Sequence, residues 1–183
     1  LNADFLIGGS YKYLRGGPGA CFLYISPDAF ESGLAPLDTG WFAKRDPFLY
    51  DRPDPPQLAA GGDAFLESTP PVLTYYQARS GQRFILEIGI SRLRDYNLDR
   101  LKRLKTYLAN AGVDSCGGDP QHGAFLTLRH PSAASVTQRL SNVHIHTDAR
   151  GPWLRLCPDC LTREEDLIQA AKAVALMIKS TPL

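Results

Sequence analysis

The sequence of 183 residues lacks long apolar runs and lacks an excess of charge. A membrane-spanning helix needs about 20 consecutive apolar residues, and no run of that length occurs. The formal net charge is +1 at pH 7, so no basic footprint indicates nucleic acid or an anionic membrane as a partner. Four cysteines are too few for a disulfide framework, which favours a reduced, cytoplasmic protein. The remaining composition, 44% hydrophobic and 21% charged, is typical of a globular domain.

Prolines are concentrated in the first part of the chain. Nine of the 14 lie between Pro18 and Pro71, which predicts loops and short helical turns over residues 26–71, because proline lacks a backbone donor and restricts its neighbour. A loop region of that length is usually functional. The apolar run Ala20–Ile25 precedes it and predicts a buried strand.

Helical periodicity begins after the proline-rich region. Leucines at 98, 101, 104 and 108 form one apolar stripe, which predicts a helix that ends at Gly112. A weaker helical pattern covers 72–90, where Gly81 and Gly89 interrupt it. Beyond Gly112 the pattern predicts a compact α+β region, with strands over 124–128, 143–146 and 153–156, a partly helical stretch over 133–140, and a final helix that begins at the capping-box spacing of 162–165.

The densest group of chemically active residues surrounds Lys12. This lysine lies between Tyr11 and Tyr13, in a segment with five glycines, and between two predicted strands. A lysine in a water-poor setting has a lowered pKa and attacks carbonyl carbons, and glycines let the backbone approach a ligand closely. On composition alone, an ordinary glycine-rich loop with a lysine that reaches solvent is the favoured interpretation.

Four blocks of the sequence resemble the kynureninases, which are pyridoxal-phosphate enzymes of fold type I in the class V aminotransferase superfamily. The blocks follow one another in family order. They are residues 3–19 with Ser10-Tyr11-Lys12-Tyr13-Leu14 and Gly16-Gly17-Pro18-Gly19, Gly40-Trp41-Phe42, residues 65–73 with Ser68-Thr69-Pro70-Pro71, and Trp153-Leu154-Arg155-Leu156-Cys157-Pro158 with Thr162-Arg163-Glu164-Glu165. Tyr11 stands where related transaminases and cysteine desulfurases usually have histidine.

The resemblance implies an α/β fold class. Residues 1–85 would be the C-terminal part of the large cofactor-binding domain, and residues 86–183 would be a small α+β domain. It implies pyridoxal 5'-phosphate as cofactor, an amino acid as substrate, and a homodimer with a shared active site. The implied reaction is the hydrolytic cleavage of the Cβ–Cγ bond of kynurenine to anthranilate and alanine, a step of tryptophan catabolism.

The resemblance also implies a role for each matching residue. Lys12 would bind the cofactor covalently and move the α-proton of the substrate, and Tyr11 would hydrogen-bond the cofactor phosphate. Trp41 and Thr69 would reach the cofactor phosphate of the neighbouring subunit. Arg155 would bind the substrate α-carboxylate, since a guanidinium pairs with a carboxylate through two hydrogen bonds. Taken without the family, Arg155 is a strand arginine for which a structural salt bridge is the simpler role.

Two alternatives remain open on the sequence. Arg15 and His122-Gly123 depart from the usual kynureninase residues, so another class V activity, transamination or desulfuration, is one of them. The other is a non-catalytic dimerising module. Only eleven residues precede Lys12, and Asp4 is too close to it to match the family's pyridine-nitrogen partner. We therefore expect the chain to be the C-terminal half of a longer enzyme and to hold cofactor poorly by itself.

Two further groups have the residue types of a metal or redox site. Cys157 and Cys160 form a single CxxC without the second pair that a zinc site needs, and the motif precedes the final helix rather than opening a βαβ unit. His144 and His146 alternate with apolar residues, which predicts an exposed strand face. We expect neither group to bind a metal.

Overall fold

A computed structural model describes residues 2–181 of the chain. Its contacts divide these residues into two compact units, one that ends at Glu87 and one that begins at Ile88. Each unit is described separately below.

The first unit is built on a two-stranded antiparallel hairpin. Strand β1 (Phe5–Gly9) pairs with β2 (Cys21–Ile25), and the register places Phe5 opposite Ile25 and Gly9 opposite Cys21. The hairpin is followed by helix α1 (Pro27–Glu31), two short 3-10 helices (Trp41–Ala43 and Gly61–Phe65) and helix α2 (Val72–Ile88). The loops and short helical turns expected over 26–71 are thus present.

Strand β2 is present, but the expectation that it is buried is wrong for the structure described here. Of its five residues only Ile25 is buried, while Phe22, Leu23 and Tyr24 are each between 44% and 47% exposed. The apolar run correctly predicts a strand, but burial needs a layer packed on each face. The two-stranded sheet of this unit, with order β1-β2, supplies no further strand on either side of β2 among residues 2–181.

The second unit packs three helices against a four-stranded antiparallel sheet. The strands are β3 (Cys116–Gly117), β4 (Leu126–Arg129), β5 (Asp148–Arg150) and β6 (Trp153–Leu156), in the order β3-β4-β6-β5. The helices are α3 (Ile90–Asn110), α4 (Ala133–Ser141) and α5 (Glu164–Ser180). One apolar cluster joins sheet and helices, and its largest fully buried members are Leu101, Leu108, Leu126, Leu128, Leu140, Leu154 and Leu167.

Helix α3 follows the leucine stripe that predicts it. Leu101, Leu104 and Leu108 are all buried in the cluster. Gly112 ends the helix with a φ of +77°, a left-handed conformation that glycine adopts without steric cost. The amide of Val113 then donates to the carbonyl of Leu108 at 2.9 Å and closes the last turn.

Two local predictions for this unit are wrong. Residues 143–146 form no strand, because the amides of Val143 and Ile145 donate to the carbonyl of Leu140 and fold the chain back onto the end of α4. The box that caps α5 lies one residue later than expected. The amide of Arg163 donates to the Asp166 carboxylate at 2.9 Å, while the Thr162 hydroxyl accepts from the amide of Asp159 in the preceding turn.

Among residues 2–181, no helix combines the length and apolarity needed to cross a membrane.

Candidate active-site residues

Lys12 lies on the segment that joins β1 to β2, residues 10–20, which we call the lysine loop. Ser10 fixes the start of this loop, since it is 1% exposed and both its amide and its hydroxyl donate to the carbonyl of Ala20, at 2.9 and 2.7 Å. The amides of Gly16 and Arg15 donate to the carbonyls of Ser10 and Lys12 at 2.6 and 2.9 Å. The loop is therefore closed on itself by four hydrogen bonds, three of which involve Ser10.

Glycines allow close packing around the lysine loop at two points. The ring of Tyr11 lies over Gly9, where a methyl group would come within 2.7 Å of the ring. Gly81, inside helix α2, faces the carbonyl of Arg15, and a methyl group at Gly81 would overlap that oxygen. Both glycines thus permit approaches that a side chain would prevent, and the second packs the loop against α2.

Lys12 and Tyr11 are both exposed at the surface of the first unit. The ammonium nitrogen of Lys12 lies 5.4 Å from the centre of the Tyr11 ring, within cation–π range. Tyr11 is 57% exposed. The unit by itself therefore presents Lys12 to solvent rather than in a water-poor setting.

The segments that carry Trp41 and Thr69 meet in the first unit. The amide of Phe42 donates to the carbonyl of Glu67 at 3.3 Å, and Gly40 abuts the Glu67 backbone so closely that a methyl group at Gly40 would overlap it. Trp41 lies in a 3-10 helix, half-buried, with its ring 5.3 Å from that of Phe48. Thr69 lies exposed in the loop that leads to α2.

Arg155 lies in the second unit, on β6, directly opposite Asp148 on β5. Its Nε donates to one oxygen of the Asp148 carboxylate at 2.7 Å, and its Nη2 donates to the other oxygen. Its guanidinium also lies 5.3 Å from the centre of the Phe125 ring. The structure thus shows the salt bridge expected of a strand arginine, in the two-bond geometry that suits recognition of a carboxylate.

Asp148 is the residue at this site that the sequence reasoning missed. Hydrogen bonding to Arg155 lowers the pKa of its carboxyl, and the charges of Arg155 and Arg150 act in the same direction against the effect of burial. A signal was present in the sequence: a turn at Gly151-Pro152 joins two short strands and places residues 148 and 155 opposite each other. Opposite charges at such facing positions attract.

The cysteine and histidine groups do not come together as a metal site. Residues 2–181 contain no group of three or more His, Cys, Asp or Glu side chains that could hold an ion. The four cysteines, all within the described residues, form no disulfide, and the thiol of Cys157 donates to the carbonyl of Ala124 at 3.2 Å. His144 adopts a φ of +62° in the turn after α4, so the strand face predicted for the two histidines is absent.

The residues of the first unit fit one side of a site for an aldehyde cofactor that carries a phosphate. An exposed amine, Lys12, and an adjacent exposed phenol, Tyr11, lie directly after β1, where a ligand can reach both. The hydrogen bonds of the loop fix the backbone on either side of the amine. This arrangement can present Lys12 as a nucleophile and Tyr11 as a hydrogen-bond donor.

Comparisons with known proteins find relatives among the kynureninases, while no family model matches the chain. The kynureninase of Deinococcus radiodurans is 32% identical over 157 residues, which is 82% of this chain and 38% of that protein. The kynureninase of Geobacillus thermodenitrificans is 31% identical over 169 residues, again 38% of its length. An uncharacterized aminotransferase of Bacillus subtilis, YcbU, is 25% identical over 174 residues. The chain thus spans about two fifths of the length of the curated relatives it matches.

Solved structures show the same fold. The apo cysteine desulfurase of Thermococcus onnurineus superposes with a TM-score of 0.80 over 98% of this chain and 48% of that one, at 20% identity. A serine palmitoyltransferase of Sphingomonas wittichii gives a TM-score of 0.59 over 97% of this chain. The chain is therefore kynureninase-like, a relative that spans part of the kynureninase length and has the α/β fold of the fold-type-I pyridoxal-phosphate enzymes.

Proposed function

We propose that the chain supplies the cofactor lysine and the substrate-carboxylate arginine of a kynureninase-like pyridoxal-phosphate enzyme. The observation that carries the proposal is Lys12, which stands in the block that matches the kynureninases and is held on a loop closed by hydrogen bonds. The identity of 32% with one kynureninase supports the same assignment. The unit that ends at Glu87 would then complete the large cofactor-binding domain, and the unit that begins at Ile88 would form the small domain, two residues later than the predicted boundary between residues 85 and 86.

Each of the proposed site residues has a stated task. Lys12 would hold the cofactor covalently through Nζ and, once the substrate amine has displaced it, would move the α-proton of the substrate with that nitrogen. Tyr11 would donate a hydrogen bond from its hydroxyl to the cofactor phosphate. Arg155 binds the α-carboxylate of the amino acid. The bound cofactor supplies an electron sink for charge that develops at the α-carbon of the substrate. The overall reaction consumes one water and breaks the Cβ–Cγ bond of kynurenine, which yields anthranilate and alanine.

The cofactor site is best tested at Lys12 itself. The chain by itself should hold pyridoxal phosphate weakly, but borohydride reduction is irreversible and should trap the cofactor on Lys12, as peptide mass spectrometry would show. Lys12→Ala should abolish this labelling, while the matched variant Lys44→Ala should keep it, because Lys44 donates to the Thr39 hydroxyl away from the lysine loop. Equal labelling of Lys12 and other lysines would contradict the proposal.

The reaction is tested separately with L-kynurenine. We expect anthranilate to appear, detected by its fluorescence, when the chain is combined with the protein segment that completes the cofactor site, and to be lost in Lys12→Ala. A second candidate, transamination or desulfuration, is favoured by the 25% identity to an aminotransferase and by the similarity of fold to a cysteine desulfurase. Keto-acid or sulfide formation without anthranilate would decide for that candidate. Failure to label Lys12 would favour the remaining alternative, a non-catalytic dimerising module.

The proposal includes a homodimer in which Trp41 and Thr69 contact the cofactor phosphate of the other subunit. It is supported by the contact between the two segments, which lets one surface present both side chains. In the anthranilate assay, Lys12→Ala and Trp41→Ala should each be inactive alone. An equal mixture that is unfolded and refolded together should regain about a quarter of the unaltered activity, because half of its dimers are mixed and each mixed dimer has one intact site. No recovery in a mixture that forms dimers would contradict the shared site.

A further inference from the structure

The pair formed by Arg155 and Asp148 has a geometry that an ordinary surface ion pair does not require. The two residues face each other across β5 and β6, and both nitrogens on one edge of the guanidinium, Nε and Nη2, bond the two carboxylate oxygens. The Phe125 ring lies 5.3 Å from the guanidinium carbon. The carboxylate and the ring together restrict rotation of the guanidinium about its side-chain bonds.

The pair contributes little as a stabilising contact. The side chains of Arg155 and Asp148 are 34% and 43% exposed, and ion pairs at such positions add little to the free energy of folding because water screens them. The guanidinium has five N–H donors in a fixed plane, and it can bond carboxylates through two different edges. Asp148 engages the edge formed by Nε and Nη2.

Charge around the pair favours an added anion. The Nε of Arg150 lies 3.5 Å from the Asp148 oxygen that also accepts from Arg155, so one carboxylate lies between two guanidinium groups. The three side chains carry a net charge of +1. A ligand carboxylate would neutralise that charge. Without Asp148, the guanidinium groups of Arg150 and Arg155 would repel each other, and Arg155 would lose its fixed orientation.

We infer that Asp148 is a positioning residue that orients the Arg155 guanidinium toward the α-carboxylate of an amino-acid ligand. Asp148 does not touch the ligand, and it acts by fixing the plane and the edge that Arg155 presents. The inference rests on the proposed function, because it takes Arg155 as the carboxylate-binding residue. It goes beyond that function by assigning the specificity for a carboxylate to the pair rather than to the arginine alone.

The test follows the Nε–Hε resonance of Arg155 by NMR in the full chain while L-alanine is added, with L-alaninamide as the probe that lacks a carboxylate. We expect L-alanine to shift this resonance and L-alaninamide to leave it in place. Asp148→Asn keeps the shape of the side chain but removes the charge and one acceptor oxygen. It should raise the dissociation constant for L-alanine about tenfold, as expected for loss of a hydrogen bond to a charged group.

Two controls separate positioning from a general effect on stability. Asp119→Asn removes a comparable carboxylate that pairs with His122, and it should leave the affinity for L-alanine unchanged. Asp148→Glu keeps charge and both acceptors and should restore part of the affinity. A merely structural role would lower the melting temperature without altering the preference for L-alanine over L-alaninamide.

Three outcomes would overturn the inference. Unchanged affinity in Asp148→Asn would show that Asp148 does not orient Arg155 for binding. Tighter binding would show that Asp148 competes with the ligand for the same edge. If the Arg155 resonance of the unaltered chain does not respond to L-alanine, Arg155 does not bind a carboxylate and there is no site for Asp148 to orient. Failure of the proposed function is a different result, seen in the labelling of Lys12 and in anthranilate release.

Discussion

Gly81 is the residue through which helix α2 reaches the lysine loop, and it does so by having no side chain. In a helix interior, alanine is favoured over glycine by about 1 kcal/mol. Here a methyl group at position 81 would overlap the carbonyl oxygen of Arg15, so the backbone of the lysine loop or of α2 has to move to make room. Displacing packed groups costs about 1–3 kcal/mol, so we expect Gly81→Ala to destabilise the protein despite its better helix propensity.

The same substitution should shift the lysine loop and lower the fraction of Lys12 labelled by pyridoxal phosphate and borohydride. Gly62→Ala is the matched control, because a methyl group there meets nothing within 4 Å. Thermal unfolding and peptide mass spectrometry measure the two effects. A Gly81→Ala variant as stable and as well labelled as Gly62→Ala would show that the loop does not depend on this contact.

Glu164 is the residue at which pH should affect the stability of the second unit. Its carboxylate accepts from the hydroxyl of Tyr107 and lies 2.8 Å from Arg100 and 3.5 Å from Arg103. The hydrogen bond from Tyr107 lowers the pKa of Glu164, the two arginines act in the same direction, and burial opposes them. A carboxyl with a lowered pKa in the folded state adds stability above its ordinary pKa, and that stability is lost as pH falls through the lowered value.

We therefore expect Glu164→Gln to lower the melting temperature at pH 7 and to differ less and less from the unaltered chain as the pH falls below about 4.3. Glu165→Gln is the control, since both residues lie in the first turn of α5 and interact similarly with its dipole. The measurement is thermal unfolding from pH 7 to pH 3. An identical pH dependence for both variants would assign the effect to the helix end rather than to Tyr107 and the arginines.

At the scale of elements, β6 divides its residues between the core and the opposite face of the sheet. Leu154 is fully buried, and its neighbour Arg155 points to the other face of the sheet, as the two-residue period of a strand requires. Leu154→Ala should cost about 2–5 kcal/mol in the free energy of unfolding, because it leaves a cavity among packed leucines. Urea titration measures the loss. Leu161→Ala, at a position 77% exposed, is the control and should change stability little.

Elements with a strong local signal are those that the sequence predicts well. The leucine stripe predicts α3 and its end at Gly112, and residues 133–140 and 153–156 are confirmed as helix and strand. Residues 143–146 fail because their alternating pattern is overridden by hydrogen bonds to the end of α4. Lys12 is marked by its immediate neighbours in the sequence, whereas the partnership of Asp148 with Arg155 depends on how the turn at Gly151-Pro152 pairs the two strands.

At the scale of the whole molecule, the two units differ in what they bury. In the second unit one cluster contains fifteen buried residues, with leucines from α3, β4, α4, β6 and α5. In the first unit the buried hydrophobic residues are small, five of seven being alanine, while Phe5, Ile7, Phe22 and Tyr24 are exposed. Apolar area removed from water is the main favourable contribution to folding. Within residues 2–181, the cluster of large buried side chains lies in the second unit.

We therefore expect residues 88–183 to fold when they are expressed alone, with a cooperative urea transition and a free energy of unfolding of about 5 kcal/mol, near the lower end for a domain of this size. Residues 1–87 alone should unfold without a cooperative transition, because small buried side chains cannot offset the entropy lost on ordering the backbone. Far-UV circular dichroism follows both. In the full chain, amide exchange should be slowest in α3, β4, β6 and α5.

A cooperative transition in residues 1–87 would show that exposed aromatic residues of the hairpin find partners within that unit. Its absence would mean that the lysine loop keeps its geometry only when other protein surface covers the hairpin, so that cofactor binding at Lys12 depends on those contacts.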